Sequence, residues 1–301
     1  MAKLTEPIRA RLQETFSGQR TGVPQWIQEL EKGDDVGFFG PGSATWAVHG
    51  GIATIVAGIR ALLVQALHPG AMAGVHDWSR YKEDPFGRLA GTIRWMMTVT
   101  YAAEADAIAG SNWVLKLHER VVGTYVDPDG TVVSYSANDP DLAAWVHIAF
   151  ADSFLACHEL WGSPIPGGPD AYVREWAKAG ELMGVANPPR SKAELAAQLL
   201  GYLERGELRR DARVDEAVKF LRRPPLAPAL RPSYPALFGG AVASIPPELQ
   251  AMLGLHTRPA LAIPATRAVL GSVRAVLGAE PAAESAALRR IERLRLADLS
   301  A

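Results

Sequence analysis

Seven histidines and one cysteine are the side chains of this 301-residue sequence best suited to metal or cofactor chemistry, and their spacing restricts what that chemistry can be. The histidines are His49, His68, His76, His118, His147, His158 and His256. A helix that gives two ligands to one metal ion places them three or four residues apart, because those positions share a face. No histidine here has Asp, Glu, Cys or another His at either spacing. The HExxH zinc pattern and the Glu-x-x-His pairs of di-iron bundles are therefore absent. The lone Cys157 cannot build an intramolecular disulfide, a cysteine-rich zinc site or an iron–sulfur cluster. A macrocyclic cofactor stays compatible, since haem brings four nitrogen ligands and asks the protein for only one or two axial groups. Without a C-x-x-C-H segment such a haem would be of the non-covalent b type. Cys157, followed directly by His158 and with no glycine-rich loop before it, is a poor thiolate ligand.

Spacing does not single out one histidine. A lone histidine on an apolar helix is more often a hydrogen-bonded core residue than a ligand. His147 and His158 return to within about 20° of one helix face but stand about 16 Å apart along the axis, too far to share an ion. A second polar pair, Arg88 and Thr92, lies one helical turn apart in GRLAGTIRW, with Trp95 on the same face. An arginine on an apolar wall needs an anion. A haem propionate or a polarised oxygen species would serve, and so would a salt bridge to Asp77, Glu83 or Asp84, which spacing alone favours.

These residues require apolar helices to carry them. The chain is 48% hydrophobic and 21% charged, enough for a sizeable core and incompatible with disorder, collagen or coiled coil throughout. Its length allows one large or two small domains. A formal net charge of −1 supplies no global attraction to nucleic acid or acidic lipid, and no compact basic patch stands out. No nucleic-acid partner is expected. The opening MAKLTEPIRARLQETF lacks the apolar stretch and cleavage site of a secretory signal. The most hydrophobic stretch, residues 50–67, carries Arg60 in its middle and reads as a buried core helix rather than a membrane span. A cytoplasmic protein without a transmembrane segment is the expectation.

Along the chain, helical signals dominate. Thr5-Glu6-Pro7 opens a first helix, and the turn-rich residues 34–42 give way at Ser43 to an apolar segment that stops at Pro69, either one helix or two meeting at Gly50-Gly51. Residues 86–103 and 104–123 predict two more helices. An Asp-Gly turn within residues 124–137 predicts one small hairpin. Asn138-Asp139-Pro140 caps a long helix ending at Gly162, and Ser191 with Glu194 forms a capping box. Residues 222–235, rich in proline, predict an extended surface connector, followed by two or three helices that end in an Ala/Arg/Glu-rich tail, which lies on the surface or forms an interface. The expected architecture is all-α: one helical domain with a small β-hairpin and peripheral C-terminal helices.

The succession GFFGPGSATWAVHGG, ALLVQALHPGAMAGVHDWSRYKEDPFGRLAGTIRWMMTVTY and KLHERVVGTYVDPDGTVVSYSANDPDLAAWVHIAFADSFLACHELWG resembles the DUF2236 family, which includes the latex-clearing rubber oxygenases and the fungal oxygenase of mycophenolic acid biosynthesis. The resemblance implies a globin-like helical core around haem b and oxygen-dependent cleavage of isoprenoid double bonds. It divides the chain into an N-terminal helical extension (1–36), the haem-binding oxygenase domain (37–255) and peripheral C-terminal helices (256–301). Carried onto this sequence, it makes His118 in KLHERVVG the axial ligand of the haem iron and gives Arg88 and Thr92 a place at the haem and in catalysis. It matches His68 and His147 to recurrent positions that face the haem or brace its pocket. One position departs: a lysine that precedes the threonine in the latex-clearing branch is Gly91 here. A lysine-closed distal side is unavailable by that route, which leaves the iron open, water-bound or held by a different group such as a second histidine, and polyisoprene as substrate is put in doubt.

The resulting expectation is a haem b-dependent oxygenase that uses dioxygen on a small apolar substrate, isoprenoid-like or aromatic. Residues 50–67 and 95–101 would line its pocket. The alternatives are a haem-binding carrier or sensor without turnover, and a helical interaction protein with an empty pocket.

Overall fold

The computed structural model describes residues 22–79, 83–127, 129–278 and 281–300, and these form fourteen α-helices and one two-stranded antiparallel hairpin. The first six helices are α1 (Gln25–Glu29), α2 (Ala44–Gly50), α3 (Thr54–Gln65), α4 (Pro69–Trp78), α5 (Pro85–Tyr101) and α6 (Glu104–His118). The hairpin β1 (Val122–Val126) and β2 (Val132–Ser136) follows, then α7 (Pro140–Trp161), α8 (Pro169–Leu182), α9 (Lys192–Glu204) and α10 (Ala212–Arg222). The chain closes with α11 (Tyr234–Ala243), α12 (Pro247–Met252), α13 (Pro259–Leu277) and α14 (Ala282–Asp298). The helix expected to open at Thr5-Glu6-Pro7 lies outside the described residues.

The all-α expectation holds. The core is built on α3 and α7, which pack on one another with Val56, Leu63 and Val64 of α3 and Trp145, Ile148 and Leu155 of α7 at most 2% exposed. Arg60 sits within this apolar pair because every charge it carries is met. Its guanidinium lies 2.6 Å from the Asp152 carboxylate, donates to Ser153 Oγ at 2.8 Å and donates through Nε to the Ser244 carbonyl at 3.2 Å.

Local physics explains where the sequence expectations shift. Of the two options for residues 43–69, the chain takes the broken one: Gly51 is extended (φ −74°, ψ 149°), and α2 and α3 meet at 91°. The helix expected to reach Gly123 ends at His118. The β-branched Val121 and Val122 favour extended backbone, and Val122 already pairs with Ser136 in the hairpin. The capping box is rearranged: Ser191 Oγ accepts from Glu194 N at 3.2 Å, while the Glu194 carboxylate accepts from Arg190 N at 2.8 Å rather than from Ser191. After the proline-rich connector come four helices, not two or three.

The tail also differs from a solvated surface helix. Ala286, Ala287 and Arg290 of α14 are completely buried. Arg290 donates to four backbone carbonyls, those of Leu30 (2.6 Å), Asp35 (3.1 Å), Val36 (3.1 Å) and Tyr101 (2.8 Å). On the far side, α13 packs on α11 and is the one unbroken helix among the described residues long and apolar enough to cross a membrane.

Candidate active site

The hairpin of α5 and α6 positions Arg88, Thr92 and His118. Pro85 sits at the first position of α5, and Asp84 caps it by accepting from Gly87 N at 3.0 Å. Acidic Glu104 and Asp106 fall in the first turn of α6 and Lys116 in the last, as the helix dipole favours. Only Ala102 and Ala103 separate the two helices, so they run antiparallel. Their register is fixed where Trp95 Nε1 donates to Ser111 Oγ at 3.2 Å and where a Cβ added at Gly110 would stand 3.3 Å from the Thr98 methyl. One residue back on α5 for each residue forward on α6, these contacts set Arg88 within a turn of His118 along the hairpin and Thr92 about a turn nearer its closed end.

The closed end of this hairpin is part of the core and the other end is open. Met96, Val99, Thr100 and Tyr101 are buried, whereas no residue from Pro85 to Trp95 is, including Phe86, Leu89 and Ile93. On α6, Trp113 is 64% exposed and Ile108 41%. Of the segments expected to line a pocket, residues 50–67 keep Ile52, Ile55, Ile59 and Leu62 only partly buried while the rest of α3 packs on α7, residues 95–101 are mostly core, and further uncovered apolar surface lies on the first half of α5 and on α6.

At the open end His118 is half-buried, and its Nδ1 is inaccessible and without a hydrogen-bond partner among the described residues. Burial lowers its pKa below the ordinary histidine range, so the imidazole is neutral with a lone pair to give. Arg88 is half-buried, and Thr92 is exposed, with its hydroxyl donating to the Arg88 carbonyl at 3.3 Å. Gly91 is exposed with open space where a Cβ would stand, so the missing lysine does not reflect a lack of room.

The other two candidate histidines sit elsewhere. His68 precedes α4, where Nδ1 accepts from Gly70 N at 3.2 Å and the ring lies 6.0 Å from Trp145 and 6.1 Å from Tyr202. His147 is buried between α7 and α8, tight enough that a Cβ on Gly180 would come within 3.1 Å of its ring, and burial lowers its pKa to about 4. The hairpin therefore carries Arg88, Thr92 and His118 toward its open end, while His68 and His147 belong to the packing of α4 and α7.

Sequence reading left His49 without a role, and it anchors the closed end of α5. Thr100 Oγ1 donates to the Met96 carbonyl at 2.8 Å and so accepts from His49 Nδ1 at 2.8 Å; His49 Nε2 then accepts from the Tyr172 hydroxyl at 3.1 Å. Trp176, 4.3 Å from the His49 ring and 6.1 Å from Trp95, continues the contact toward the hairpin. Desolvation, then the nearby His158, lower the His49 pKa to about 3. No spacing signal could reveal this, because Thr100 and Tyr172 are remote in sequence.

The chemistry on offer is a neutral imidazole with an unpartnered ring nitrogen, a cation within a turn of it along the hairpin, and partly uncovered apolar side chains on the same two helices. Among the described residues no group of three or more His, Cys, Asp or Glu could hold a bare metal ion. Two features fit haem: the His118 imidazole has a ring nitrogen without a hydrogen-bond partner among the described residues, and apolar side chains are left to cover a macrocycle. Residues 46–279 match the family described as ER-bound oxygenase mpaB/B'/Rubber oxygenase, catalytic domain. No curated protein and no solved structure gives a significant match.

Proposed function

The chain belongs to the mpaB/rubber oxygenase catalytic-domain family, and from that premise we propose that it is a haem b-dependent oxygenase that uses dioxygen on a small apolar substrate, isoprenoid-like or aromatic, in the cytoplasm. The observation that carries this reading is His118: a neutral imidazole with a buried, unpartnered nitrogen at the open, apolar end of the α5–α6 hairpin.

In this reading His118 holds the haem iron, and the bound haem supplies the chemistry that activates dioxygen. Arg88 pairs with an anionic group within a turn of His118, and Thr92 extends that polar edge toward solvent. Phe86, Leu89 and Ile93 exclude water and offer an apolar substrate a surface of matching character. His68 and His147 act one layer back, His68 by fixing the start of α4 and His147 by packing α7 on α8.

The test is oxygen consumption by haem-loaded protein with a short isoprenoid alkene and with a hydrophobic aromatic compound. Uptake that depends on one of these, reduced on the order of 100-fold in Arg88→Ala, is the expected result. Stoichiometric haem without uptake on any apolar compound would make the protein a carrier or sensor instead.

A further inference from the structure

The near-neutral net charge conceals an uneven distribution. Residues 217–279 contain seven lysines and arginines but a single carboxylate, Glu248. These cations are dispersed over 63 positions rather than clustered in a run, so no basic patch stands out until the fold brings α11 and α13 together. Arg222 reaches over the Phe238 ring of α11 at 5.9 Å, and Arg258, Arg267 and Arg274 are exposed at the start of α13 and along it. None of the three has a carboxylate partner among the described residues; Arg267 donates to the Leu160 carbonyl at 2.8 Å.

The same helix is poorly covered. Of its nineteen residues only Thr266 and Leu270 are buried, Leu261 is 66% exposed, and Ile263, Val269 and Val273 are half-open. A helix with apolar side chains open to solvent, flanked by arginines and free of acidic residues, is matched to a surface that is both apolar and anionic. Nucleic acid would satisfy the charge and leave the apolar surface exposed. Spanning a bilayer would bury Arg267 and Arg274 in hydrocarbon and strip α13 from α11, so the helix lies along the membrane rather than through it.

We propose that α13, together with the cations beside α11, docks this protein on the surface of a bilayer rich in anionic lipid. The docking is independent of haem and of the oxygenase reading. It is tested by floating the full-length protein with vesicles of phosphatidylcholine alone and of phosphatidylcholine with phosphatidylserine, at low and high salt. Flotation with the anionic vesicles only, lost at high salt and weakened at least about tenfold by Arg258→Glu with Arg274→Glu, is expected. Leu261→Asp weakens it independently, and circular dichroism verifies that each variant keeps its helices. If the double reversal fails to fold, Arg274→Gln and Leu261→Asp singly carry the same test.

The proposal is overturned by no flotation with anionic vesicles, by equal flotation with both compositions, or by undiminished binding of the folded variants. It is equally overturned if light scattering shows a dimer that Leu261→Asp dissociates and that binds no vesicles, or if a DNA duplex binds the protein more tightly than the anionic vesicles do.

Discussion

Two histidines held neutral by burial have opposite uses. His49 has both ring nitrogens committed, to Thr100 and to Tyr172, and ties α2, α5 and α8 together. His118 and His158 each keep a buried Nδ1 without a hydrogen-bond partner among the described residues, and of the two only His118 lies at the open end of the hairpin, where the proposal gives it the haem iron. Burial of neutral histidine also sets the response to acid. The folded-state pKa values of His49 and His147, about 3 and about 4, lie below the ordinary 6.5, so between these limits the unfolded chain binds more protons. Stability is therefore full above about pH 6.5 and is lost as the pH falls toward 4, by roughly 1.4 kcal/mol per pH unit for each histidine. His147 has no hydrogen bond to lose, so in His147→Leu the acid limb is expected to be shallower by one histidine's share. Urea midpoints of both proteins at pH 7, 6 and 5 check this, and parallel acid limbs would contradict it.

At the scale of elements, the α5–α6 hairpin is firm at one end and uncovered at the other. Arg290 pins the firm end through the Tyr101 carbonyl as well as three others. Arg290→Met leaves two buried and two part-buried carbonyls without a donor and is expected to cost about 3 kcal/mol, read as a lowered thermal midpoint. Gly91→Ala changes an exposed helical position with free space and is expected to stabilise by about 0.5–1 kcal/mol. An unchanged midpoint in Arg290→Met, or a lowered one in Gly91→Ala, would contradict these assignments. Much at this scale was legible beforehand: the apolar periods gave α5 and α7 nearly to the residue, and the Asp-Gly turn gave the hairpin. The role of α14 was not legible, because the partners of Arg290 are backbone carbonyls and backbone carbonyls leave no trace in residue type. The break at Gly51 was legible only as one of two options, since glycine permits extended backbone without requiring it.

At the scale of the molecule, the candidate site was legible in part. The absence of paired ligands pointed away from bare metal centres, and the resemblance supplied His118, Arg88 and Thr92; the contacts within the hairpin then set Arg88 within a turn of His118. What residue types could not disclose was where apolar surface would remain uncovered. Much of the most hydrophobic segment of the chain fills the core, while open apolar surface is left on α5 and α6 near the candidate site and on α13 away from it. The most direct measurement is the absorption spectrum of purified protein supplied with haemin, for the parent chain and for His118→Gly with and without added imidazole. The parent chain is expected to bind one haem with a sharp Soret band, His118→Gly to lose that band, and imidazole to restore it. A His118→Gly protein that binds haem with the parent spectrum and stoichiometry in the absence of imidazole would contradict the assignment of His118 as the haem ligand.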